Sequence, residues 1–133
     1  WTVNAPVLNV QKTQSLVSDG TNGITGFIPG AIVEYTIRVT YASGSGSATG
    51  VIISDNIPAT LAPLANQYDT DKEVTRTVYD DTGTSTTTTY LQDGHADLDS
   101  WGTAAGSDVA VDCNTTLNEA NDYCEIKFKV TIQ

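Results

Sequence analysis

Three aspartates lie close together in the segment DGHADLD. Asp93, Asp97 and Asp99 fall within seven residues and lie beside a glycine. Calcium takes about six to eight oxygen ligands, and acidic side chains on one loop can converge on a single ion. The spacing does not match the EF-hand loop. The three aspartates are therefore a candidate calcium site, and the alternative is an acidic loop in contact with solvent.

The same segment contains the single histidine of the sequence, His95. Nucleophilic catalysis of the Ser-His-Asp or Cys-His type requires a nucleophile beside the histidine and a third group that orients it. Nothing in the sequence places such groups next to His95. We therefore expect no catalytic residue, and the protein is not predicted to be an enzyme.

The two cysteines, Cys113 and Cys124, enclose ten residues. They cannot form a tetrahedral zinc site by themselves, and their spacing is not C-x-x-C. Each cysteine continues the apolar alternation of its own segment, so both side chains are expected to face the core. This pattern predicts a disulfide across a hairpin, which would contribute about 3 kcal/mol. Free buried thiols are the alternative.

Two segments could carry glycans. Asn114 begins an Asn-Thr-Thr sequon between the cysteines, which is a candidate site of N-glycosylation. A threonine-rich run over 84–89 could take O-glycans, but threonine also suits the exposed face of a strand.

Composition excludes several classes of partner. The 133 residues carry a formal net charge of -10, which phosphate backbones and anionic membrane surfaces would repel. No apolar run approaches the ~20 residues needed to span a bilayer. The sequence begins with Trp and contains no Met, as in a mature secreted protein whose signal peptide has been removed. We therefore expect an extracellular protein at the cell surface that binds no nucleic acid and does not insert into membranes.

Alternation with a period of two predicts the elements that must position these residues. AIVEYTIRVTYA and EIKFKVTIQ place apolar residues on one face and polar residues on the other. The range 73–91 is typical of a hairpin with Asp81, Thr82 and Gly83 in its turn, and GVIISDNIP and SDVAVDC are shorter strands. The sequence predicts an all-β fold, an immunoglobulin-like antiparallel β-sandwich of about seven to eight strands with an extended N-terminal strand.

The alternation changes phase near the start of the chain. Leu8 and Val10 fall on even positions, so they would face the opposite side of a strand from the apolar residues before them. Those preceding apolar residues fall on odd positions, and they are Trp1, Val3, Ala5 and Val7. The predicted organisation is an N-terminal extension over residues 1–7 and one sandwich domain over 8–133.

Three segments resemble a known family. They are LNVQKT at 8–13, PGAIVEYTIRVT at 29–40 and SATGVIISDNIPATL at 47–61. Together they resemble the DUF11-type repeat of bacterial and archaeal surface proteins, although Tyr41 stands where that family usually has Asn. The resemblance implies an immunoglobulin-like, extracellular module with a structural or adhesive role, and it supplies no catalytic residues.

A sandwich with an unpaired edge can accept an extended segment from another copy, and head-to-tail contacts of this kind form open filaments. We therefore expect a structural subunit of an extracellular filament or pilus, with identical subunits as partners and no cofactor besides the candidate calcium. The donor strand would bind the next subunit through Trp1, Val3, Ala5 and Val7. The alternatives are a non-catalytic adhesive or spacer module of a larger cell-surface or S-layer protein, and a module that binds surface glycans.

Overall fold

The computed structural model describes residues 5–19, 26–80 and 85–133. Within these ranges the chain forms nine strands and contains no helix of the length and apolar character needed to cross a membrane. The strands are β1 (Val7–Ser18), β2 (Ile32–Ser43), β3 (Ile52–Asp55), β4 (Leu61–Pro63), β5 (Val74–Asp80), β6 (Ser85–Leu91), β7 (Leu98–Ser100), β8 (Val109–Asp112) and β9 (Tyr123–Ile132).

The strands form two antiparallel sheets. The larger sheet has the order β1-β2-β9-β5-β6, and β4 pairs with β9 beside β5. The smaller sheet has the order β3-β8-β7. The two sheets enclose one core, which confirms the predicted all-β, immunoglobulin-like sandwich. The described residues contain nine strands, more than predicted, because β4 and β7 are three residues long and too short to show a period.

The centre of the core comes from the two strands with the clearest alternation, β2 and β9. Phe128 on β9 is fully buried, and its ring centre lies 5.7 Å from that of Tyr35 on β2. Burying a side chain of this size contributes about 1.5–3 kcal/mol. The other buried core-facing residues of the two strands are Val33, Ile37, Val39, Tyr41, Cys124, Ile126 and Val130.

The predicted disulfide joins Cys113 and Cys124, and both residues are fully buried. The expectation that it closes a hairpin is wrong. Cys113 follows β8 of the smaller sheet, whereas Cys124 lies on β9 of the larger sheet. The bridge therefore crosses the core and connects the two sheets, since each side chain points inward from its own sheet.

The change of phase near the N-terminus coincides with a register shift in the sheet. Val7 pairs with Ser43 and Leu8 pairs with Tyr41, so one residue of β2 is unmatched between them. Just before this point the chain runs so close to Gly44 that a Cβ there would overlap the carbonyl oxygen of Ala5. β1 begins at Val7, one residue before the predicted boundary between extension and sandwich.

Candidate functional site

One row of β1 faces the core side of the larger sheet without being covered. Its members pair with core-facing residues of β2, as Val10 does with the buried Val39, and paired residues lie on the same face. Val10 is nevertheless 69% exposed. Leu8 and Leu16 are partly buried and contact the edge of the core. This row, called the β1 row below, consists of Leu8, Val10, Lys12, Gln14 and Leu16.

The β1 row is uncovered because the smaller sheet is too narrow. The disulfide places β8 opposite β9, so the three strands of the smaller sheet lie over the middle of the larger one. β3 ends the smaller sheet on the side of β1, and within the described residues it pairs only with β8. The space between the β1 row and the free edge of β3 is called the groove below. It is shallow, since the described residues form no enclosed pocket.

The other edge of the larger sheet has a different composition. The core-facing residues of β6 pair with core-facing residues of β5, as Thr87 does with Val78 and Thr89 with Arg76. Where β6 extends beyond the smaller sheet, these positions are polar and exposed or partly exposed, and the buried end of the row is Leu91. This row, called the β6 row, consists of Ser85, Thr87, Thr89 and Leu91.

A single ion pair crosses the groove among the described residues. The ammonium of Lys12 lies 2.5 Å from a carboxylate oxygen of Asp55 on β3. The Lys12 side chain is 43% exposed and that of Asp55 is 13% exposed. The ammonium also lies 4.5 Å from the ring centre of Tyr35, which draws it toward the core. Lys12 thus places a charge in the middle of the β1 row, next to Val10.

A second ion pair connects the sheets on the opposite side, and it is more deeply buried. The guanidinium of Arg76 on β5 donates to the carboxylate of Asp97 at 2.8 Å and to the carbonyl of Asp112 at 2.9 Å. The Arg76 side chain is 10% exposed and that of Asp97 is 19% exposed. Arg76 Nε is buried and has no hydrogen-bond partner among the residues that the structure describes. Buried charges of this kind depend strongly on their partners.

The hydrogen bond from Arg76 holds the pKa of the Asp97 carboxyl below its usual value. The attraction of the Arg76 charge acts in the same direction, and burial opposes both. Asn114 adds a hydrogen bond from its side-chain amide at 3.3 Å. Asp97 is therefore ionised at neutral pH and committed to contacts within the protein.

The three aspartates of the candidate calcium site are used in different ways. Asp97 is engaged by Arg76, whereas Asp99 lies on β7 with an exposed side chain. The backbone amide of Asp93 donates to the buried carboxylate of Glu73. In the ranges that the structure describes, no group of three or more His, Cys, Asp or Glu side chains could hold a metal ion.

The residues of the predicted donor strand are only partly described. Trp1 and Val3 lie outside the described residues, as do the predicted turn residues of the hairpin over 81–83. Ala5 and Val7 are described, and both are exposed. Neither side chain is therefore buried in its own sandwich.

The sequon residue Asn114 is exposed, with a positive φ of 46°. Asparagine adopts this left-handed conformation more readily than most residues. Its backbone amide donates to the carboxylate of Asp112. The sequon thus lies on the surface, next to the contact between Arg76 and Asp97.

No family model matches the chain, and no match was found among curated proteins or solved structures. The resemblance to the DUF11-type repeat therefore stays a prediction.

Sequence reasoning did not find the two ion pairs that connect the sheets. The available signal was a cation at a core-facing position, between Val74 and Val78 for Arg76 and after Val10 for Lys12. Charged residues are rarely buried without a partner. Such a position indicates a carboxylate on the facing sheet, although it does not identify which one.

Proposed function

We propose that this protein is the structural subunit of an extracellular filament of identical copies. The N-terminal segment of one subunit lies in the groove of the next subunit, where it adds a strand to the free edge of β3. In this position it covers the β1 row. Main-chain hydrogen bonds along β3 and burial of apolar side chains supply the binding free energy.

The observation that carries this proposal is the exposed apolar part of the β1 row beside an edge of β3 that pairs with no strand within the described ranges. Val10 faces the core side of the sheet and is 69% exposed. Burying a Val side chain contributes about 1.5 kcal/mol or more, and an unpaired edge offers backbone donors and acceptors to another strand. One extended segment would satisfy both.

The chain contains a segment with the pattern that the groove requires. A strand added to β3 would have one face on the β1 row and the other in solvent. Residues 1–7 alternate in this way, with polar Thr2 and Asn4 between apolar neighbours. The described part of the segment leaves its apolar side chains exposed: Ala5 precedes β1, and Val7 is exposed although its backbone already pairs with Ser43 of its own sheet.

Donor segment and groove are different surfaces of one subunit, so their contact is heterologous. Contacts of this type continue from copy to copy and produce an open filament when the rotation does not close a ring. A formal charge of -10 per subunit also favours solubility of the free subunit before assembly.

Two substitutions in the donor segment test the proposal. Val3→Asp places a charge in the apolar row, whereas Thr2→Asp places the same charge in the polar row. We expect Val3→Asp to abolish filaments in negative-stain microscopy and sedimentation, and Thr2→Asp to preserve them. Filaments of normal length and yield from Val3→Asp would overturn the proposal.

Thermal unfolding of the dispersed subunits separates this function from that of a spacer or adhesive module. If residues 1–7 packed on their own sandwich, Val3→Asp would lower the melting temperature of the single subunit. The filament proposal predicts an unchanged melting temperature, because the segment is buried only in a neighbouring copy.

A further inference from the structure

We propose that Lys12 and Asp55 recognise the incoming strand by being buried beneath it, so that only a strand with an uncharged core-facing row is accepted. This inference rests on the proposed function and concerns the same groove. The two side chains meet 2.5 Å apart across the groove, and within the described residues no other ion pair connects β1 to the smaller sheet.

The pair has different energetic weight in the free and the assembled subunit. In the free subunit Lys12 is 43% exposed, and exposed ion pairs contribute little to stability. A strand added to β3 would lie over the β1 row and remove this exposure. The two charges would then be separated from water, and each would depend on the other for its stabilisation.

This change in exposure makes the pair selective. An incoming side chain with a charge would leave one charge without a partner in a site closed to water, which is strongly unfavourable. An uncharged side chain leaves the pair intact. The core-facing residues of the donor segment meet this requirement, since none carries a charge, and they are Trp1, Val3, Ala5 and Val7.

The test uses the full chain with three changes in the groove: Lys12→Gln, Asp55→Asn and both together. Each single variant leaves one charge without its partner once the strand is in place. We expect the critical concentration for assembly to rise about 100-fold in each single variant. The double variant has no charge to isolate, and we expect it to assemble within about tenfold of the unmodified chain.

Arg38 and Glu125 provide the matched control. They form an ion pair on the opposite face of the larger sheet, with 41% and 12% of their side chains exposed. Arg38→Gln should leave the critical concentration unchanged, because the incoming strand does not cover that face. The melting temperature of each dispersed variant shows whether the subunit itself is intact, and we expect changes of no more than a few degrees for all of them.

The outcomes distinguish this inference from the proposed function. If the unmodified chain forms no filaments, both are wrong. If it forms filaments and the single variants assemble equally well, the inference about the pair is wrong and the filament proposal stands. The inference is also wrong if Arg38→Gln raises the critical concentration as much as Lys12→Gln, or if the double variant assembles as poorly as the single ones.

Discussion

β1 and β6 are both edge strands of the larger sheet, and both extend beyond the smaller sheet. The β6 row meets solvent with Ser and Thr, whereas the β1 row presents Leu8 and Val10. Where β6 extends beyond the smaller sheet, its core-facing residues are polar. At the corresponding place β1 instead has apolar residues. Apolar exposure at β1 is therefore a property of this side of the sandwich, and topology alone does not account for it.

The ion pairs on the two sides also differ, in burial and in the contacts that support them. Arg76 is buried and Asp97 is partly buried, and further contacts with Asp112 and Asn114 support the pair. The pair of Lys12 with Asp55 is more open to solvent, and its further contact is the one between the Lys12 ammonium and the ring of Tyr35. On the side of β6, contacts within one subunit pair the charged groups of Arg76 and Asp97. On the side of β1, apolar residues are exposed, and in the proposed filament a strand of a neighbouring subunit would cover them.

The largest effect is expected from removing each cation in turn. Arg76→Ala removes the main partner of the partly buried Asp97 carboxylate, which keeps only weaker contacts such as that with Asn114, and it should lower the free energy of unfolding by about 2 kcal/mol or more. Lys12→Ala should lower it by about 1 kcal/mol or less, because its pair is partly exposed. Urea unfolding of dispersed subunits measures both, and equal losses would contradict the contrast between the sides.

Acidification should lower the free energy of unfolding by less than Arg76→Ala does, since the Asp112 carbonyl still accepts a hydrogen bond from Arg76. The pKa of Asp97 in the folded protein lies below its usual value of 3.8. The contribution of its charge is therefore complete above that pH and is lost as the pH falls through the lower value of the folded state.

The corresponding measurement compares unfolding free energies from pH 6 down to acid. In Arg76→Ala the part of the acid-induced loss that comes from Asp97 should become much smaller, since Arg76 is the main cause of the lowered pKa of Asp97 and the hydrogen bond from Asn114 remains. An unchanged difference between the two proteins at every pH would show that Asp97 does not titrate as described.

An exchange of residues between the two edge rows should change assembly moderately. Val10→Thr gives β1 the character of β6 and should weaken filament assembly about tenfold, since less apolar surface is buried. Thr87→Val makes the reverse change on β6 and should leave assembly unchanged. Sedimentation at several concentrations measures both, and an equal effect of the two changes would mean that the groove is not the contact surface.

The smallest effect is expected at the sequon. Asn114→Ala loses the contact with Asp97 and places Ala at a positive φ, which together should cost about 1 kcal/mol. Asn114→Gly tolerates this φ and should cost less. Thermal unfolding compares the two variants, and the opposite order would show that the backbone conformation of residue 114 is not the main cause of the loss.

Much of the fold could be predicted because its longest strands alternate clearly. β2 and β9 followed from apolar residues at every second position, the pairing of β5 with β6 followed from the turn residues between them, and the phase change located the register shift after Val7. Three-residue strands such as β4 carry no periodic signal. The alternation of apolar residues indicated that Cys113 and Cys124 face inward. Inward-facing cysteines can lie on two paired strands of a hairpin or on two facing sheets, so the alternation did not distinguish these arrangements.

The groove itself could not be predicted from the sequence. Exposure of Val10 depends on the width of the smaller sheet, which is a property of distant segments. The partners of Lys12 and Arg76 lie 43 and 21 residues away, on β3 and directly before β7 of the smaller sheet. No local pattern contains that information, since contacts between sheets arise only when the whole sandwich has formed.

The length of β1 has a mechanical consequence. Its 12 residues begin at the end of the donor segment, and all of them except Val17 pair with residues of β2. In the proposed filament, tension on a donor segment would pull β1 along its own axis and load its hydrogen bonds to β2 in shear. Bonds loaded in shear share the force, whereas bonds that are peeled apart break one after another. A long first strand would thus let each subunit carry tension without unfolding.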